Sequence, residues 1–113
     1  MAHSTLLTIH RPTDAHLAEV ITAMRTLGSP TVRVVDCGDY LMALEGSHRI
    51  AACKVLGIAP DLVVLSQDDL VDADSLDWQD LQSGESYTAG ELAAEAYSPQ
   101  AVPYSISHDG VIV

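Results

Sequence analysis

The chain has 113 residues, of which 48% are hydrophobic, enough for one domain with a single core and too apolar for intrinsic disorder. No apolar run approaches the roughly 18–20 residues that a membrane helix needs. Sixteen acidic residues against five basic ones leave a formal net charge of -11, which excludes general binding of duplex DNA, a polyanion held mainly by Lys and Arg.

The N-terminal stretch MAHSTLLTIHRP lacks the basic start and long apolar middle of a signal peptide, so a soluble, cytoplasmic protein is expected. Ser4–His10 alternates weakly and predicts a strand, broken by Arg11-Pro12. Thr13 or Asp14 can cap a following helix, whose apolar positions Leu17, Val20, Ile21, Met24 and Leu27 share one face. Gly28 and Pro30 stop it. Thr31–Asp36 is β-branched and predicts a strand; Cys37-Gly38-Asp39 makes a tight turn, and Tyr40–Leu44 returns as the second strand of a hairpin. Glu45-Gly46 ends that strand. Ser47 is suited to cap a second helix, which runs to Gly57, and Leu62–Leu65 predicts a short buried strand. The order so far is β-α-β-β-α-β, an α+β arrangement around a small mixed sheet.

Neither cysteine, Cys37 nor Cys53, lies in a Cys-x-x-Cys pair, and both are expected as reduced, half-buried apolar residues. The charge divides unevenly. All five basic residues (Arg11, Arg25, Arg33, Arg49, Lys54) precede Pro60, where five acidic residues balance them. From Asp61 to Val113 there are eleven acidic residues and no Lys or Arg. Within that half, Leu70, Val71, Leu76, Trp78 and Leu81 stand amid Asp68, Asp69, Asp72, Asp74, Asp77 and Asp80, which predicts short helices or turns with a solvated acidic face. Thr88-Ala-Gly-Glu91 matches a capping box and starts a helix to about Tyr97. The end, AVPYSISHDGVIV, predicts a closing hairpin with His108-Asp109-Gly110 in its turn.

The Glu45–Arg49 turn carries the parts of an anion site. A helix start offers unpaired N–H groups and partial positive charge. Gly46 lets a ligand approach the backbone, the Ser47 hydroxyl can donate to a phosphate oxygen, and the Arg49 fork suits phosphate. His48 can add a hydrogen bond or act on protons. Glu45 is a candidate Mg²⁺ ligand or base, since that ion takes oxygen ligands. Ser47 and His48 are adjacent and point apart on a helix, so they do not form a hydrolytic pair. His48 and Cys53 lack zinc-ligand spacing, and His3, His10, His16 and His108 are scattered and receive no role. Arg11 is either a second phosphate contact or a surface residue.

Leu41–Leu65, LMALEGSHRIAACKVLGIAPDLVVL, resembles the ParB/sulfiredoxin superfamily: a strand, an acidic residue, Gly, any residue, His or Arg, Arg, an Ala-rich helix ending Leu-Gly, then a strand. Leu17–Asp36 fits the helix and Pro-led strand upstream. The resemblance spans about residues 4–66, taken as the core of one domain over 1–113. Residues 67–113 are read as an acidic, helical extension with the closing hairpin. The resemblance implies a nucleotide or phosphate site at Gly46, Ser47, His48 and Arg49, with ATP, ADP or CTP and Mg²⁺ as expected ligands. Sulfiredoxin chemistry is disfavoured, because Ser47 stands where that branch has its Cys. A partition clamp is disfavoured too, because the turn is not Gly-Glu-Arg-Arg and no Arg follows Arg49. The small-kinase branch, with acidic-Gly-His-His-Arg, differs at this turn only by Ser47.

The resulting expectation is a stand-alone domain that binds a nucleotide or phosphorylated small molecule at Glu45–Arg49, with phosphoryl transfer or nucleotide hydrolysis as the reaction if it turns over substrate. Glu45 and His48 are the candidate catalytic residues, and Glu45 the candidate metal ligand. The rival expectation is a non-enzymatic acidic module that binds a basic protein partner. A metal-dependent nuclease comes third, with the charge against it.

Overall fold

The structure is a computed structural model that describes residues 5–76 and 78–113; His3, Ser4 and Asp77, named in the sequence reading, lie outside the described residues. Its elements in chain order are β1 (Thr5–Thr8), α1 (Asp14–Leu27), β2 (Thr31–Asp36), β3 (Leu41–Ala43), α2 (Ser47–Leu56), β4 (Asp61–Leu65) and β5 (Leu70–Asp72). A 3-10 turn at Ala73–Ser75, β6 (Ser86–Thr88), α3 (Ala89–Ala96) and β7 (Val102–Ser105) complete the chain. The α+β class and the β-α-β-β-α-β order of the first half agree with the sequence reading.

Five strands form a mixed sheet in the order β4-β2-β3-β1-β7. The β2–β3 hairpin and the β1–β7 pair are antiparallel, whereas β1–β3 and β2–β4 are parallel. Strand alternation divides the apolar residues between the two faces. Leu6, Val32, Val34, Leu41 and Ala43 pack with α1 and α2 through Met24, Ile50 and Cys53. Val35, Met42 and Leu44 pack on the other face with Val71, Leu76 and Leu92. The second half is therefore a structural layer. It supplies the cover of one sheet face and also the strand β7.

Several expectations are corrected. The run Leu62–Leu65 is the outermost strand, not a buried one: Val63 is 41% and Val64 53% exposed, because β4 pairs only with β2. Leu27, the last residue of α1, is 80% exposed and not part of the buried face. In the acidic stretch the expected short helices or turns appear as the 3-10 turn at Ala73–Ser75 and tight turns, whereas β5 and β6, which the sequence reading did not contain, form a separate two-stranded ribbon. Three-residue strands are too short to show alternation, which is why the pattern hid them. The closing hairpin is as expected, though short: His108 and Asp109 lie in its turn with Gly110 at φ 84°, Ile106 bridges Ile112, and the Val113 N–H donates to Ser105 O at 2.9 Å. The capping box at Thr88 and Glu91 is present in both halves.

The aspartates of the second half fasten turns. Asp74 accepts from Ser83 Oγ at 2.8 Å and from the Gly84 N–H at 3.0 Å, and Asp72 accepts from Ser86 Oγ at 2.9 Å. No helix among the described residues is long and apolar enough to cross a membrane.

Candidate functional site

The turn between β3 and α2 depends on backbone geometry first. The Leu44 N–H donates to Arg33 O at 3.1 Å, the last rung before the chain leaves the sheet. Gly46 then adopts φ 76°, a left-handed conformation, and a Cβ there would lie 3.1 Å from Val32 Cγ2. Gly46 thus takes the cap position, and Ser47 is the first helical residue instead of the cap expected from sequence. The first intrahelical bond runs from Ile50 N–H to Gly46 O at 2.8 Å. The N–H groups of Ser47, His48 and Arg49 consequently have no acceptor among the described residues. Ser47 is only 5% exposed and lines a cleft; its hydroxyl has no hydrogen-bond partner among the described residues, and since no buried side-chain polar atom among them lacks one, the hydroxyl is the part of Ser47 that stays open to the cleft.

Glu45 is held from β2. Its Oε2 accepts from Arg33 Nε at 2.8 Å and from the Arg33 backbone N–H at 3.2 Å, while Oε1 accepts from Arg33 Nη2 at 2.9 Å. Hydrogen bonding to Arg33 holds the Glu45 carboxyl below the ordinary carboxylate range, against the opposing push of burial. The rest of the Arg33 fork reaches Ser75, donating to its Oγ and its carbonyl, each at 2.9 Å. Both acceptor sites of Oε2 are taken by Arg33, so a base or metal-holding role for Glu45 falls to the second lone pair of Oε1. Among the described residues no group of three or more His, Cys, Asp or Glu is arranged to hold a metal ion. The donor set therefore does not form a protein cage for Mg²⁺.

His48 joins the starts of α1 and α2. The Thr13 N–H donates to His48 Nε2 at 3.1 Å, so that nitrogen is the acceptor and Nδ1 carries the proton of the neutral ring. The ring stacks on His16 at 4.2 Å between centroids and meets His10 edge-on at 5.5 Å. Burial, followed by the neighbouring His16 and His10, pushes the His48 pKa below its ordinary value. Arg49 is exposed and makes one contact, from Nη1 to Thr31 O at 3.3 Å. Arg11 does not line the cleft. Cys53 is buried inside α2, and burial pushes its thiol up to about 11, so it is no nucleophile.

The cleft measures about 1070 Å³. Glu45, Gly46, Ser47, His48 and Arg49 all line it, with His10 and His16. Trp78, Leu81, Tyr87 and Leu92 supply apolar lining, and Asp80, Glu91 and Glu95 supply carboxylates. The Trp78 indole N–H donates to Leu44 O at 2.9 Å. The turn is thus fixed on both flanks, by Trp78 at Leu44 and by Arg33 at Glu45. The sequence reading missed Arg33, Trp78, His10 and His16 as members of this site. Only Arg33 carried a local signal, as a charge inside a β-branched strand; the others are brought in by the fold.

No family model matches the chain, and comparison with curated proteins and with solved structures finds no match.

Proposed function

We propose that the chain binds a phosphorylated small molecule, a nucleotide in the first instance, at the Glu45–Arg49 turn. One observation carries the reading: Ser47 is nine-tenths buried as a residue, and its hydroxyl, which has no partner among the described residues, is left open on the cleft beside three helix N–H groups without acceptors. A phosphate oxygen there would accept from the hydroxyl and from the helix start together. Arg49 adds a nearly free guanidinium, which binds phosphate by paired, charge-assisted bonds. His48 has its Nε2 lone pair taken by Thr13, so it meets a ligand as a donor through Nδ1–H.

Where substrate is turned over, phosphoryl transfer or nucleotide hydrolysis is the reaction class proposed. Mg²⁺ would then arrive on the phosphates, since that ion is commonly held by one or two carboxylates plus phosphate oxygens. Glu45 would offer it the remaining lone pair of Oε1, with Arg33 still bound to the carboxylate. Calorimetry with ATP, ADP, CTP and GTP, each with Mg²⁺, tests the site. Binding that falls roughly tenfold to hundredfold in Arg49→Ala supports it, matching the loss of one charge-assisted contact. No binding at millimolar ligand removes it.

A second reading, an acidic module for a basic protein, has the free edge of β4 in its favour. That edge exposes Val63 and Val64 and runs into the exposed Asp68 and Asp69. Retention of a partner that weakens with rising salt would support it; no retention even at low salt would end it.

A further inference from the structure

The lining of the cleft is of two kinds, and only one of them suits phosphate. Ser47 and Arg49 belong to the first. The second comes from the half of the chain that has no Lys or Arg, and there Asp80, Glu91 and Glu95 repel an anion. What meets that lining is the non-phosphate body of the ligand. Its apolar members are half-buried Trp78, Leu81, Tyr87 and buried Leu92. The indole does not hang free. Its N–H is fixed to Leu44 O at 2.9 Å, three residues before Ser47.

Resting on the phosphate reading above, we infer that Trp78 is the stacking plate for a nucleobase, so the ligand is a nucleoside phosphate and not a sugar phosphate or a phosphorylated amino acid. An indole held by its own N–H presents a ring face whose orientation is set before the ligand arrives, so little side-chain freedom is lost on binding. Base–aromatic stacking tolerates any base and is worth a sizeable factor in affinity. The acidic half then acts as the selectivity wall of the same site.

Trp78 is the chain's single tryptophan, so its fluorescence reports directly on the plate. The intact chain is titrated with Mg²⁺-ATP, Mg²⁺-CTP, tripolyphosphate and glucose 6-phosphate, read by both calorimetry and indole emission. Expected are saturable quenching by the nucleotides alone and nucleotide affinity roughly tenfold or more above that of tripolyphosphate. Trp78→Leu and Trp78→Phe both lose the N–H bond to Leu44, so the ratio of nucleotide to tripolyphosphate affinity is compared between them: Trp78→Phe, which keeps a ring, should retain part of the nucleotide advantage and Trp78→Leu none. Nucleotides and tripolyphosphate binding equally, with no quenching, would overturn the plate and leave the phosphate site standing. Binding of no phosphorylated ligand would overturn both.

Discussion

A side chain at position 46 would face two obstacles at once, the left-handed backbone and the Val32 methyl 3.1 Å from where its Cβ would sit. Gly46→Ala should therefore destabilise the fold by about 1–3 kcal/mol, seen as a lower urea midpoint. An unchanged midpoint would mean that the turn relaxes to another conformation. Its neighbour Glu45 gives a pH signature. The carboxyl titrates lower in the folded chain than in the unfolded one, so the unfolded chain takes up the proton first as pH falls. The stability due to the Arg33 pair is whole above the ordinary value of 4.5 and is lost as pH falls through the depressed folded value. Urea midpoints measured through that range should drop steeply for the wild type and more gently for Glu45→Gln. His48 has the same sign for a different reason: the folded chain resists its protonation because burial and two neighbouring imidazoles disfavour the charge. Its ring resonance should titrate below 6.5, and a midpoint at or above that value would contradict the packing of His48 against His16 and Thr13.

At the scale of elements, α3 shows how much a short helix owes to its ends. It has eight residues, too few to persist by propensity alone. Thr88 Oγ1 accepts from the Glu91 N–H at 3.2 Å, and the N–H groups of Ala89 and Gly90 donate to Asp69 O at 2.7 Å and Gln67 O at 3.0 Å. Every early donor of this helix is satisfied, in contrast to α2, whose first three are open. Thr88→Ala should cost about 1 kcal/mol by denaturant unfolding, with Thr88→Ser close to wild type. An equal loss in both variants would point to the threonine methyl instead of the cap. This helix start was legible because a capping box is a local pattern. So were β2 and the Gly57 stop, where β-branching and a left-handed glycine act within a few residues. The end of the cap's reach was also the end of legibility. Ser47 reads as a cap in sequence, yet it is the first helical residue, because the contact that restricts Gly46 comes from Val32 on another strand. His48 was legible as a site residue, but its partners Thr13, His16 and His10 lie across the packing of α1 on α2, which no spacing encodes.

At the scale of the whole molecule, the division by charge misled the division by structure. Residues 61–113 hold eleven acidic groups and read as an appendage, yet they contribute β7, which pairs with β1 through four residues from Thr5–Ser105 to Thr8–Val102. They also cover Val35, Met42 and Leu44 with Val71, Leu76 and Leu92. Arg33 ties the halves together, since its one guanidinium holds Glu45 before α2 and Ser75 after β5. A chain cut after residue 66 would leave one sheet face bare, β1 with a free edge, and Arg33 short of two acceptors. Burying that face is worth more than a small domain's net stability, which is commonly about 5–15 kcal/mol. Residues 1–66 alone should show no cooperative thermal transition, and adding residues 67–113 as a separate peptide should restore one if the halves can meet. A sharp transition in 1–66 alone would return the second half to the status of an appendage. Arg33→Lys tests the tie more gently. Lysine keeps the charge but has one head for two partners that the planar fork serves together. Amide exchange should then quicken at both ends of the tie, at 46–49 and at 73–81, while the β2–β3 hairpin keeps its protection. Quickening at one end alone would show that Trp78 and Leu44 hold the two halves without Arg33.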